Sequence, residues 1–175
     1  MPDQGNQIIE HYQFANREQW TQALQQKPNP TWLKTRDLGS KKSTYLPLGL
    51  QQALADKFFR ECDVKDEHYS VVANEILCTV RISILPDYPN SEHRIISGTG
   101  AKPIQMDQGK LPSSFPSGKK SNALEYCAPA ARAAAISNAL TTFANIFGRN
   151  LSRDMQNDFS FIRTQPKTEN NDNKS

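Results

Sequence analysis

Cysteine is scarce in this chain and none of it is arranged for chemistry. Cys62, Cys78 and Cys127 are odd in number and widely spaced, with no C-x-x-C pair, so neither a disulfide framework nor a thiolate zinc site is legible. The histidines, His11, His68 and His93, stand apart from each other and from the cysteines, which leaves no metal-ligand set. No apolar run approaches the ~20 residues that a membrane-spanning helix needs, and no secretory leader is legible. These absences carry an expectation of a reducing intracellular compartment (cytoplasmic for a bacterial or phage-encoded chain) and of no membrane contact. Catalytic signatures are missing too. There is no G-x-S-x-G and no Cys–His arrangement. The string GSKKST at 39–44 lacks the first glycine and the Gly-Lys adjacency of a phosphate-binding loop, and GTGAK at 98–102 has no helix after it. Asp87 and Glu92 near Arg94 echo a nuclease carboxylate pattern, but they sit in a loop and read as turn formers and solvated charges. A non-enzyme without metal or cofactor is therefore expected. No internal repeat is present.

Neither sign of charge dominates. Twenty-one Lys and Arg against 18 Asp and Glu give +3 and a pI near 8.8, which permits an anionic partner without demanding one. The length predicts one domain with a real core: a flexible segment over 1–15, an α+β domain over 16–155, and a mostly disordered polar tail over 156–175.

The organising stretch is 119–153, KKSNALEYCAPAARAAAISNALTTFANIFGRNLSR. Ile136, Leu140, Phe143 and Phe147 are spaced by four, three and four, which predicts one helical face. Asn122 and Glu125 read as a capping box, and Gly148 followed by Arg149 reads as the stop. Pro129 predicts a kink, or two helices meeting at Ala128. Upstream, Asn16 can cap a short helix, REQWTQALQQ, with Trp20 and Leu24 on one face. Residues 32–46 read as two strands about Gly39, and Trp32, Lys34 and Arg36 share a strand face. Pro47 opens a second helix through Cys62, with Leu50, Leu54, Phe58 and Cys62 as its core stripe, and Asp63 to Glu67 as the turn after it. Two extended segments follow, Tyr69 to Leu85 and His93 to Ile104. Val80, Ile82 and Ile84 face one side of the first. Gly98 and Gly100 inside the second imply a bulge or the close approach of another backbone. The Pro, Ser and Gly of 105–118 read as a mobile loop, and DFSFIR at 158–163 as a short segment that packs back.

Cations concentrate on these elements. Lys34, Arg36, Lys41 and Lys42 face the single acid Asp37 on the hairpin; Arg81, Arg94 and Lys102 lie on the strands; Lys119, Lys120, Arg132, Arg149 and Arg153 surround the long helix. A basic hairpin bearing an aromatic suits single-stranded nucleic acid, whose phosphates need cations and whose bases need stacking surfaces. It equally suits a solvated edge hairpin that uses lysine against aggregation.

Three strings in order carry a resemblance: TRDLGSKKSTYLPLGLQQALADKFF, then EILCTVRISIL with RIISGTGAKPI, then KSNALEYCAPAARAAAISNALTTFANIFGRNL. Over roughly 31–152 the chain resembles the Rad-fifty-two family of single-strand annealing proteins, including phage-encoded members. The resemblance implies a β-hairpin and an antiparallel sheet braced by a long C-terminal helix, a β-β-β-α core. It also implies a homo-oligomeric ring or filament, and ATP-independent annealing of complementary single strands of DNA in recombination and repair. By position it places Arg36 on the DNA backbone, Tyr45 after the turn as a structural aromatic, and Arg132 early in the long helix. The family's further basic positions fall on Thr141, Thr142 and Asn145, which release no counterions. The expected DNA-binding set is Lys34, Arg36, Lys41, Lys42, Arg81, Lys102, Lys119, Lys120, Arg132 and Arg149. A host single-strand binding protein or a phage exonuclease is the further partner considered. The alternative function is an oligomeric, non-catalytic adaptor that docks a recombination or replication partner through the polar tail.

Overall fold

A computed structural model describes residues 12–39 and 41–151. The expectations for 1–11, for Arg153, for DFSFIR and for the polar tail lie outside the described residues.

The architecture is α+β. Helix α1 (Arg17–Leu24) is capped by Asn16, whose Oδ1 accepts from Gln19 N at 2.9 Å. The cap satisfies one of the orphan donors of the first turn. Trp20 and Leu24 are buried, as their spacing predicts. Strands β1 (Lys34–Leu38) and β2 (Lys41–Tyr45) form a two-stranded antiparallel hairpin, and Gly39 takes φ +62° at its turn. Trp32 is not on the hairpin. It ends a short 3-10 turn, Pro30–Trp32, set by Asn29 and Pro30, so it does not share the strand face of Lys34 and Arg36.

Helix α2 is shorter than the four-residue stripe suggests. It spans Leu48–Phe58, and the chain turns directly into β3 (Phe59–Val72). Phe58 and Phe59 are both buried on either side of the switch, anchoring it in an aromatic cluster. Trp20 donates from Nε1 to Phe58 O at 2.9 Å, and Phe59 stacks on Phe147 at 6.0 Å. Cys62 therefore belongs to a strand, and Asp63 to Glu67 are strand residues, not a turn. β3 pairs with β4 (Glu75–Pro86) through a tight turn at Ala73 and Asn74, with Ala73 at φ +54°. β4 pairs with β5 (Arg94–Pro103), giving a three-stranded antiparallel sheet of order β3-β4-β5. Cys78, Val80, Ile82 and Ile84 form its buried face.

Helix α3 (Ala123–Phe143) lies over β5 and β4. The two glycines of β5 make that approach possible: a Cβ at Gly98 would collide with the backbone of Ala135 and Ala139, and one at Gly100 with that of Ala131 and Ala135. Of the bulge and the close backbone approach that glycines inside a strand imply, the close approach is the one present, and its partner is the alanine face of α3. Pro129 sits inside the helix, which is continuous. Pro129 and Glu125 are both exposed, so solvent can serve the Glu125 carbonyl that proline leaves without a donor. Asn122 makes no side-chain cap; its φ −102° and ψ 13° are far from the extended backbone an N-cap needs, and the capping box does not form.

The helix stops at Phe143, before Gly148. Ala144 is extended, and Asn145 turns inward and donates from Nδ2 to Gln25 O at 2.9 Å. Gly148, at φ +100°, closes a short 3-10 turn over Asn145–Phe147 that returns Phe147 to the core, fully buried. The loop 105–118 is tied at its base by a bridge between Met106 and Lys119 and by Asp107 N donating to Gly118 O at 2.9 Å. Among the described residues no helix is long and apolar enough to cross a membrane.

Candidate functional site

The hairpin, the start of α2 and the C-terminal half of α3 enclose a polar cleft of about 180 Å3. Arg36, Ser43, Thr44 and Tyr45 form its hairpin wall; Ser137, Asn138 and Thr141 form its helix wall; Gln51, Phe147 and Gly148 close its base. Each wall follows from local sequence. Arg36 pairs with Ser43 and Lys34 with Tyr45 across the hairpin, so Arg36 and Tyr45 are diagonal neighbours on one face. The guanidinium lies 5.2 Å from the Tyr45 ring centroid, a cation–π contact that holds the charge at the cleft. On α3, Ser137, Asn138 and Thr141 share a side at helical spacing, where an otherwise alanine-rich helix becomes polar.

Gln51 organises the base. It is 2% exposed, and its Nε2 donates to Thr141 Oγ1 and to the Phe147 carbonyl, each at 3.1 Å. Turning the amide over would set oxygen against the Phe147 carbonyl, so this orientation is fixed. Its Oε1 is left buried without a partner, a position that costs about 1–3 kcal/mol.

The expected DNA-binding residues do not converge on one groove. Arg36 lines the cleft, and Lys34 and Lys42 are exposed on the same hairpin. Lys41 is on β2, opposite Leu38. Arg149 is exposed and follows Gly148 at the cleft base. Arg132 faces the other way. Its Nε donates to Glu67 Oε2 on β3 at 2.6 Å, and with Ile136 and Leu140 it lines a separate groove against Cys62 and Val64. Hydrogen bonding to Glu67, opposed by partial burial, holds the Arg132 guanidinium above its ordinary pKa.

Arg81 is opposite Ser97 on β5 and near Asp66 on β3, 3.6 Å from its Oδ2. It alternates with Val80 and Ile82, so it points to the sheet face away from α3. Arg94 lies over the Trp20 ring at 5.5 Å. Lys102 is at the far end of β5, and Lys119 and Lys120 precede α3. Residues 123 and 137 are 14 positions apart on α3, so those lysines sit roughly 20 Å along the helix from the cleft.

The residues not singled out from the sequence are Ser43, Thr44, Gln51, Ser137 and Asn138. The polar run on α3 was a readable signal for the last two. Gln51 offered none, because it occupies an ordinary helical position and becomes central only through Phe147. Thr141 is in the cleft, whereas Asn145 is buried and committed to Gln25. No cluster of three or more metal-ligating side chains occurs among the described residues. No protein-family model matches the chain, and no curated protein does.

Proposed function

We propose that this chain binds single-stranded DNA at the hairpin–α3 cleft and anneals complementary strands without ATP. The observation that carries the reading is Arg36: a cation held by Tyr45 on a polar cleft wall, facing the hydroxyl and amide groups of Ser137, Asn138 and Thr141. Arginine pairs with phosphate through a planar set of donors. Ser137 adds a neutral donor to phosphate or sugar, and Asn138 keeps one amide hydrogen beyond the one it gives to the Thr99 carbonyl, whereas Thr141 is held by Gln51 and Phe147. Such contacts carry no sequence information, so binding is sequence-tolerant, and one strand is held while its base edges stay open to a second.

The cleft is small and carries few cations. Its salt dependence is therefore shallow for one protomer, and repetition of the cleft in an oligomer supplies avidity. The order β-β-β-α with a preceding hairpin is compatible with the resemblance to the Rad-fifty-two family. The test is annealing of fluorescent complementary oligonucleotides at low salt without ATP. Acceleration over the spontaneous rate supports the reading, and no acceleration sinks it.

A further inference from the structure

Trp32 is the tryptophan that the core does not use. Trp20 is 2% exposed, packs against Phe59, Tyr88 and Phe143, and gives its indole N–H to the Phe58 carbonyl. Trp32 is 37% exposed, and among the described residues its indole has no ring contact, cation–π contact or hydrogen bond. Its backbone is pinned all the same. Asn29 Oδ1 accepts from Thr31 N at 3.0 Å and from Thr31 Oγ1 at 2.9 Å, and Trp32 N donates to Asn29 O at 3.0 Å. Pro28 and Pro30 fix φ on either side of Asn29. A ring carried on so rigid a turn gives up little conformational entropy when another ring stacks on it.

Trp32 lines a groove of about 500 Å3, with Pro28, Leu33, Ile146 and Leu151 as its apolar surface and Lys27 at its edge. Leu151 also lines the Arg36 cleft, so the groove begins where the cleft ends. Gly148 lets Leu151 sit between them: a Cβ on that glycine would lie 3.0 Å from Leu151 Cδ1.

Charge and shape select the occupant. Every residue of the groove falls in one of two acid-free stretches, between Glu18 and Asp37 or between Glu125 and Asp154. Lys27 is exposed and has no carboxylate partner among the described residues. A cation with no acid at hand attracts phosphate, and an open indole beside apolar side chains attracts a flat ring. A nucleotide supplies both, whereas an apolar peptide would leave Lys27 unmatched.

We propose that this groove is a nucleobase-stacking subsite. Single-stranded DNA held by Arg36 passes over Leu151, one of its bases stacks on the Trp32 indole, and Lys27 meets the adjoining phosphate. The inference rests on the single-strand reading of the cleft and adds to it a contact with a base. Every base has a ring face, so the subsite keeps binding sequence-tolerant. The stacked base is withdrawn from pairing, which places the subsite at the margin of the segment offered to a second strand.

The test titrates the full chain, Trp32→Leu, Trp32→Phe and Lys27→Gln with oligothymidylate and with an abasic strand of equal length, followed by fluorescence anisotropy. Melting by circular dichroism should match the parent for each variant. Trp32→Leu should weaken oligothymidylate binding by roughly 5- to 100-fold, the equivalent of one stacked base. Its salt slope should stay parental, because stacking releases no counterion. Trp32→Phe should restore most of the loss, and neither variant should change binding of the abasic strand. Lys27→Gln should flatten the salt slope by about 0.7 on both strands. Oligothymidylate should quench tryptophan emission of the parent but not of Trp32→Leu, which retains only the buried Trp20. Equal loss on the two strands would make Trp32 a structural residue, and parental binding by Trp32→Leu would give the groove to another occupant, such as an apolar peptide. Either result, or an unchanged slope in Lys27→Gln, overturns the subsite and leaves the Arg36 cleft standing. A parent that binds no oligothymidylate overturns both.

Discussion

Arg132 on α3 and Glu67 on β3 are joined Nε to Oε2 at 2.6 Å, across the groove beside the helix. Their side chains are 43% and 41% exposed, and a pair that exposed is worth about 0–1 kcal/mol to stability. Its greater effect is on availability. A guanidinium bound to a carboxylate releases few counterions when DNA arrives. Arg132→Gln is therefore expected to leave the salt dependence of single-strand binding unchanged. Glu67→Gln frees the cation on the flank of α3 away from the Arg36 cleft, so the slope should again stay at the parent value. Fluorescence anisotropy over a salt series measures both; a slope flattened by Arg132→Gln would place this arginine on DNA.

Arg36 is expected to behave in the opposite way. Arg36→Ala should weaken single-strand binding and flatten the slope by about 0.7. Tyr45→Leu removes the ring beneath the guanidinium and should give part of that loss, whereas Tyr45→Phe keeps the ring face and should bind as the parent does. An equal loss in Tyr45→Leu and Tyr45→Phe would assign the effect to the phenol hydroxyl instead of the ring.

The contact of β5 with α3 leaves no room for a methyl group. Gly98→Ala is expected to cost about 3 kcal/mol, the upper end for overpacking, because the atoms in the way are backbone. Gly49, inside α2, has nothing within 4 Å of a built Cβ, so Gly49→Ala should stabilise by up to about 1 kcal/mol through helix propensity. Urea denaturation followed by circular dichroism compares the two, and equal midpoints would contradict the close approach.

Burial, reinforced by the charges of Asp56 and Asp63, raises the Cys62 thiol to about 11 from an ordinary 9.0. The thiolate is the nucleophile, so alkylation of Cys62 at pH 8 should be slower than that of an unfolded control, and Asp63→Asn should speed it. The linkage has a definite sign. Below pH 9 the thiol is protonated in both states, so this stabilising contribution is fully present. Between 9 and 11 the unfolded chain loses the proton first, and stability falls as pH rises. Mass-spectrometric labelling rates across that range check it.

Much of the fold was legible in the residues. Asn16 and the Trp20–Leu24 spacing marked α1, the alternation of Val80, Ile82 and Ile84 marked the core strand, and Gly98 with Gly100 marked the close approach. These are local signals, because a cap, a period of two and a missing Cβ each act within a few residues. The junctions were not legible. Cys62 continued the four-residue stripe of α2, yet the chain leaves the helix at Phe58 because Phe58 and Phe59 both bury in the aromatic cluster. The β3–β4 turn carries Ala73-Asn74 in place of Asn-Gly, so it gave no hairpin signal. Gly148 looked like the end of α3, but burial of Phe147 and the bond from Asn145 to Gln25 break the helix earlier.

The candidate site divides in the same way. Sequence alone determined which side chains could hold an anion and that Lys34, Arg36 and Lys42 ride one hairpin, since strand pairing follows from the turn. Only the tertiary structure decided which cations share a surface. α3 has two flanks: one turns Ser137, Asn138 and Thr141 toward Arg36, the other turns Arg132 into Glu67. The path of a helix over a sheet is set by where backbones can meet, here at Gly98 and Gly100, and no local pattern of charge encodes that rotation.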